Sequence, residues 1–220
     1  MRSFLLFILF LICLNDLQAG RKKIKIITSK GTIVVELYNE TPLHRDNFLK
    51  LVKKKFYDSV LFHRVISGFM VQAGDPESKA AVPGMRYGSG GLNYRVPAEF
   101  RSELFHGRGA LAAARDNNPE KASSSCQFYI VQGKKFKEEE LRNMLSGMQS
   151  GRTFSEEQIK VYTSEGGSPH LDGNYTVFGK VTEGMDVVDL IASAKRDNYD
   201  RPLEDIRIIR MRKVRRFLFF

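Results

Sequence analysis

Tryptophan is absent from this 220-residue chain, cysteine occurs only twice, and a single stretch, Phe4 to Leu14, is continuously apolar. A helix needs about 20 apolar residues to cross a bilayer, so that stretch is too short and a polytopic membrane protein is excluded. Glycine (18) and proline (7) stand near ordinary usage, which removes collagen-like and broadly disordered architectures. The 42% of hydrophobic residues is enough for a real core. The four histidines are scattered without metal-ligand spacing, so neither a zinc site nor another cofactor is expected.

The short apolar run has another use. Arg2 before it and Ala19-Gly20 after it complete the parts of a secretory signal peptide, residues 1–19. Leu17 occupies a place where a small residue is preferred, and the basic run Arg21-Lys22-Lys23 follows, so an uncleaved N-terminal membrane anchor is the alternative. Cys13 follows Ile12 rather than the small residue of a lipoprotein site. Cleavage after Ala19 leaves residues 20–220 with Cys126 alone, which rules out an internal disulfide. The expected destination is the periplasm in a Gram-negative bacterium and the secretory lumen otherwise.

The net charge is +10, which invites a nucleic-acid reading. The cations are spread among Arg21–Lys25, Lys53-Lys54-Lys55 and Arg210–Arg216, and match no nucleic-acid module. No nucleic-acid partner is expected. The bland reading is a solvated basic surface, one that can touch anionic membrane peripherally.

Along the chain, Ile24 and Ile26 alternate, then Ile33, Val35 and Leu37, with Ser29-Lys30-Gly31 between them, which reads as a β-hairpin. Thr41-Pro42 opens a helix that Phe48, Leu51 and Val52 carry to about Lys54. Short strands are expected over Phe62–Gly74, Gly109–Ala114, Cys126–Val131, Thr176–Val181 and about Leu203–Lys213. A long loop spans Asp75–Pro97, and a helix lies near Met185–Ala192. Many short strands with two core helices point to one mostly-β domain, an antiparallel barrel or sandwich.

Residues 133–168 break that rhythm. Gly133, Phe136, Glu138, Glu139 and Leu141 recur eighteen positions later as Gly151, Phe154, Glu156, Glu157 and Ile159. Ser155 with Gln158 forms a capping box, Phe154 with Ile159 a staple, and Leu141, Met144, Leu145 and Met148 share a helical face. This is read as an inserted helical hairpin. It is expected either as a flap or docking surface beside the functional groove or as surface decoration.

Three stretches carry the chemistry. They are Phe62-His63-Arg64-Val65-Ile66 through Gly68-Phe69-Met70-Val71-Gln72-Ala73-Gly74-Asp75, then Ser125-Cys126-Gln127-Phe128-Tyr129-Ile130, then Leu171-Asp172-Gly173 with Val177-Phe178-Gly179. In this order and spacing they resemble the cyclophilin family of peptidyl-prolyl cis-trans isomerases, from about Lys23 to Lys213. The resemblance implies a closed eight-stranded antiparallel β-barrel capped by two α-helices, with a proline site on its outer face. It implies Arg64 as the catalytic arginine and Gln72 and Gln127 as the glutamines that orient arginine and peptide. Phe69, Met70, Tyr129 and Leu171 become the seat of the proline ring, and the Ala114-Arg115 backbone the place where the substrate chain pairs. The implied ligands are proline-containing polypeptides, handled by a monomer with no cofactor.

The residue types suit that chemistry. Resonance stiffens the X–Pro bond with a barrier of about 18–20 kcal/mol, so uncatalysed exchange takes roughly 10–100 s. A catalyst needs only a site that fits the twisted amide better than either planar form, and a fixed cation aimed at the prolyl nitrogen supplies it. Strand alternation puts His63 opposite Arg64, which makes His63 a hydrogen-bonded core residue, and turns Phe69 away from Met70.

Three positions depart from the family pattern. Tyr129 replaces a usual Phe and brings a hydroxyl able to reach water or substrate. His170 stands where many eukaryotic members carry a Trp, so cyclosporin binding is expected but weakened. Tyr175 occupies a place often held by His. A cysteine hydrolase using Cys126 with His44, His63, His106 or His170 has no signature around the thiol, and a buried structural thiol is expected. The other alternative is a non-catalytic proline-binding scaffold. Changed pocket residues would signal it, and the main positions are intact.

Overall fold

The computed structural model of the protein describes residues 20–146 and 153–214. The N-terminal apolar run, Met148, Arg215, Arg216 and the side chain of Leu145 lie outside the described residues. In strand β1 (Lys22–Thr28) Ile24 and Ile26 are fully buried while Lys23 and Lys25 are not, the alternation of a half-buried strand. Thr28 Oγ1 accepts the Lys30 N–H at 3.1 Å and donates to the Gly31 carbonyl at 2.8 Å, tying the turn into β2 (Gly31–Leu37).

Helix α1 (Pro42–Lys53) begins with Pro at its first position, but Thr41 makes no side-chain cap and its hydroxyl is buried without a partner. The first N–H groups are met from elsewhere. Glu99 accepts from the backbone of Leu43 at 3.1 Å and of His44 at 3.0 Å, and from His44 Nδ1 at 2.7 Å. A carboxylate at a helix N-terminus also meets the positive end of the helix dipole. Burial opposes its charge, yet these bonds from His44 and Leu43 hold the Glu99 carboxyl below its ordinary pKa.

The chain continues through β3 (Phe62–Ile66), β4 (Met70–Ala73), β5 (Arg95–Val96), β6 (Ala110–Ala113), β7 (Ser123–Ser124) and β8 (Phe128–Val131). Then come α2 (Glu138–Ser146), α3 (Glu156–Ser164), β9 (Val177–Glu183), α4 (Met185–Ala192) and β10 (Ile208–Lys213). Eight strands form one curled antiparallel sheet in the order β10-β1-β2-β9-β6-β8-β4-β3. Its edge strands, β10 and β3, share no ladder. The segments leading into them are joined by Phe62 N–H to Ile206 O and Ile208 N–H to Val60 O, each 2.8 Å, with a bridge between Leu61 and Arg207.

The loop expected over Asp75–Pro97 holds a short 3-10 helix, Pro76–Ala80, and the strand β5, which pairs with β7 apart from the main sheet. Two residues per strand leave no alternation to read in a sequence.

The inner core gathers Ile24, Ile26, Ile33, Val35 and Leu37 from the hairpin with Phe48 and Leu51 of α1 and Val188 and Ile191 of α4. At its centre Phe48 meets Phe128 edge-on at 5.5 Å and Tyr57 at 5.1 Å. Helices α2 and α3 repeat each other eighteen positions apart, as the sequence repeat does, and touch. Both halves of the capping box form, Gln158 N–H to Ser155 Oγ at 3.2 Å and Ser155 N–H to Gln158 Oε1 at 2.8 Å.

Candidate active site

Alternation along the central strands gives the sheet two different faces. Val71, Ala73, Leu111, Ala113, Phe128 and Ile130 enter the inner core, while Met70, Ala112 and Tyr129 belong to a second cluster on the other side. Register then aligns a row across four strands: Arg64 opposite Gln72, Gln72 opposite Tyr129, and Tyr129 opposite Ala112. Above that row lies an open cleft of about 450 Å³. Of the ten residues singled out in the sequence, Arg64, Phe69, Met70, Gln72, Ala114, Arg115, Tyr129, Leu171 and Tyr175 line it.

Gln127 stands just outside the lining and holds it. It is 7% exposed, accepts from Gln72 Nε2 at 3.0 Å, and donates through Nε2 to the carbonyls of Gly88 at 2.9 Å and Gly90 at 2.8 Å. The same loop is fixed from below by the fully buried Asp75, whose carboxylate accepts the N–H groups of Gly88, Gly90 and Glu77. Gly90 has no side chain for a physical reason, since a Cβ there would lie 2.1 Å from Asp75 Oδ1.

The Arg64 guanidinium reaches into the cleft with its side chain 43% exposed, and its Nε lies 3.6 Å from Asp200 Oδ2. Asp200 is held in a left-handed turn at φ 63° and also pairs with Arg196 Nε at 3.2 Å, while its carbonyl accepts the Val65 N–H at 2.8 Å. Asn198 and Tyr199 of the same turn, and Arg86 and Tyr87 from the loop opposite, line the cleft as well. The sequence reading missed all five, because polar loop residues so far from the strands carry no local pattern. Arg86 lies over the Tyr199 ring at 5.2 Å, joining the two loops across the cleft.

His63 corrects two expectations. It is buried, but both ring nitrogens lack a hydrogen-bond partner, so it is not a hydrogen-bonded core residue. The β3–β4 register slips between Phe62 and Arg64, a bulge that leaves His63 unpaired and lets it line the cleft beside Arg64 rather than oppose it. Burial, with Asp75 pulling the other way, pushes its pKa down to about 4.

Phe69 lies in the turn before β4, where strand alternation does not apply. It lines the cleft with its ring 5.4 Å from His170. Burial, aided by the neighbouring His106, lowers the His170 pKa. The Tyr129 hydroxyl does not face water or the cleft as expected, and instead sits 3.0 Å from the buried His106 Nε2. Burial pushes its phenol pKa well up. Tyr175 meets Tyr129 edge-on at 6.1 Å and carries Arg115 over its face at 4.8 Å. The Ala114 N–H already donates to the Gln127 carbonyl at 3.0 Å, and its own carbonyl accepts from Ser124 at 2.8 Å.

No described residue of 133–168 lines the cleft. Cys126 is buried and its thiol is pushed up by burial, the wrong direction for a nucleophile. Among the described residues no group of three His, Cys, Asp or Glu side chains could hold a metal ion, and no helix is long and apolar enough to cross a membrane.

The family model for cyclophilin type peptidyl-prolyl cis-trans isomerases matches residues 23–213. Relatives carrying a peptidyl-prolyl cis-trans isomerase name include one from Staphylococcus epidermidis, 35% identical, and one from Staphylococcus aureus, 34% identical. Each alignment spans 193 residues, 87% of this chain and 91% of the relative. The fold is similar to a crystal structure of a Cryptosporidium parvum cyclophilin type isomerase, with a TM-score of 0.65 and 24% identity, covering 89% of this chain and 99% of that one. A second crystal structure of that protein, solved in the presence of the dipeptide Ala-Pro, gives 0.62 and 25%, covering 86% and 96%. With a family model over residues 23–213 and relatives 34–35% identical across most of both chains, this chain, a curled eight-stranded sheet bearing an open cleft, is a member of the cyclophilin-type peptidyl-prolyl cis-trans isomerases.

Proposed function

We propose that the cleft over Arg64 is the isomerisation site and that Arg64 drives it electrostatically. As the X–Pro amide twists, its nitrogen becomes pyramidal and regains a lone pair, and the permanently charged guanidinium donates to it. Phe69, Met70, Tyr129 and Leu171 seat the prolyl ring. Gln72 and Gln127 orient the peptide over the arginine. The substrate backbone pairs along Ala114 and Arg115, chiefly at Arg115, since the Ala114 groups are engaged within the protein. Tyr175 borders the seat. No bond is made or broken, so neither nucleophile nor metal enters, and the groove acts as a catalyst rather than as a passive proline-binding scaffold. The Cryptosporidium isomerase structure solved in the presence of Ala-Pro supports the same ligand class here.

The observation that carries this reading is the row Arg64–Gln72–Tyr129, aligned by strand register and bordered by Met70 and Phe69 in one open cleft. Exchange of a short X–Pro peptide followed by NMR tests it. Arg64→Ala should slow catalysed exchange by about 10²- to 10³-fold with unchanged thermal stability. Exchange as fast as in the wild type would remove Arg64 from the mechanism.

The setting belongs to the same proposal. Residues 1–19 act as a signal peptide, the folded domain is a monomer working on exported chains in a periplasm or secretory lumen, and the curled sheet behaves as a closed barrel through its 59–62/206–208 seam. The segment 133–168 is then an insertion relative to the barrel. N-terminal sequencing of the protein recovered after secretion should begin at Gly20; an intact Met1 would favour the membrane anchor.

A further inference from the structure

Behind the Tyr129 wall runs a line of buried polar side chains that the isomerisation step does not use. Tyr129 Oη lies 3.0 Å from His106 Nε2. His106 Nδ1 lies 2.7 Å from Asp172 Oδ1, which also accepts the His106 backbone N–H at 2.8 Å. Asp172 Oδ2 accepts the Tyr162 hydroxyl at 2.6 Å. Every member is at most 4% exposed. His106 bridges the two: with its Nδ1–H donated to Asp172, its Nε2 accepts the Tyr129 O–H. The phenol is therefore held pointing away from the cleft.

The far end of this line is α3. The Tyr162 ring packs edge-on against Phe105 at 5.5 Å and Phe154 at 5.6 Å. Its carbonyl accepts the Phe136 N–H at 3.0 Å, while Ser168 N–H reaches the His106 carbonyl at 2.8 Å. Gly167 makes the approach possible, because a Cβ there would stand 2.5 Å from both the Tyr162 ring and the His106 carbonyl. The second helix is thus docked on the back of the wall whose front lines the cleft.

We propose that Tyr162, Asp172 and His106 are positioning residues, which set the Tyr129 ring at the depth a prolyl ring needs, so that helix α3 governs substrate affinity from behind the site. This rests on the reading that Tyr129 seats the prolyl ring. The physical reason is the cost of a stranded phenol. A buried hydroxyl that loses its acceptor must find another, and the open cleft that the Tyr129 ring lines is where solvent can supply it. The ring then swings toward the seat and fills it. A phenylalanine at 129 has nothing to satisfy and stays in place.

The test is affinity against rate. The dissociation constant of a short Ala-Pro-containing peptide, and its exchange rate at saturation, are measured by NMR for full-length variants. His106→Phe should weaken binding about 5- to 20-fold, while Tyr162→Phe, which leaves His106 as the phenol's acceptor and loosens only Asp172, should weaken it about 2- to 3-fold; the saturated rate stays within about twofold in both, because Arg64 is untouched. In a Tyr129→Phe background, compared with Tyr129→Phe alone, His106→Phe should change affinity by less than about twofold, since no phenol is left to strand. Should His106→Phe not fold, His106→Leu, which also removes the acceptor, is compared in the same two backgrounds. Unchanged affinity in the folded single variants overturns the proposal, as does a loss that Tyr129→Phe leaves in place, which would mark a merely structural network. Failure of the site reading looks different: there, Arg64→Ala leaves exchange fast whatever the state of Tyr129.

Discussion

Strands β4, β6 and β8 each work on two faces, and the faces hold together by different means. Inward they present Val71, Leu111, Phe128 and Ile130 to a cluster with Phe48, Tyr57 and Phe178, packed carbon on carbon. Outward they present Met70, the small Ala110 and Ala112, and Tyr129, with hydrogen-bonded Gln72, Gln127 and His106 around them. The inner face fills its space and supplies stability through area removed from water. The outer face leaves a cleft open and keeps it in shape with bonds that have direction. The comparison teaches that rigidity in this protein has two sources, and only the directional one is tied to the cleft.

Changes on each face should therefore move different observables. The largest effect belongs to the inner face. Phe48→Ala opens a cavity at the centre of the aromatic cluster and should cost about 3–5 kcal/mol in urea unfolding, while kcat/KM per folded molecule stays within about twofold. A comparable fall in kcat/KM would mean the faces are not separable.

His63 sits between the two faces and should show in pH dependence. Its folded pKa, about 4, is below the ordinary 6.5. Between those values the unfolded chain takes up a proton that the folded one refuses, so stability is lost as pH falls through that window and is unaffected above it. From pH 7 to pH 4.5 the wild type should lose about 2–3 kcal/mol more than His63→Phe. Parallel pH profiles of the two proteins in urea unfolding would show that the imidazole finds a partner after all.

On the outer face, Gln127→Ala releases the Gly88–Gly90 loop and Gln72 together. Peptide exchange should slow about tenfold with a stability change of about 1 kcal/mol or less; the reverse pattern would make Gln127 a core residue. The smallest effect is expected at the rim, where His170→Trp offers a larger surface to cyclosporin. Affinity measured by calorimetry should rise a few-fold, to about tenfold at most. No gain would mean that the His170 position does not touch the drug.

What the sequence made legible follows the same division. Arg64, Met70, Gln72 and Tyr129 lie in strands whose alternation and motif spacing can be read locally, and they meet in one cleft as expected. The period-18 repeat likewise announced α2 and α3. Asp200, Tyr199 and Arg86 were not legible, since only tertiary contact between distant loops brings them to Arg64. The bulge at His63 was hidden because strict period-two reading assumes an unbroken ladder. Glu99 as the cap of α1 was hidden for the same reason as the loops: it arrives from fifty-five residues away.

In the sheet order β1 lies between β2 and β10, the second and the last strands of the chain. Ile26 pairs with Ile33 a few residues on, but its other partner, Met211, comes almost at the end of the sequence. Synthesis proceeds at about 5–20 residues per second, so one side of β1 waits about 10–40 s for the strand that completes it. Until then the hairpin carries an open edge. Its alternating lysines, Lys23 and Lys25, give that edge the charge that discourages pairing with another chain. Whether β1 keeps its proper neighbour is thus settled only once the strand around Met211 has been made.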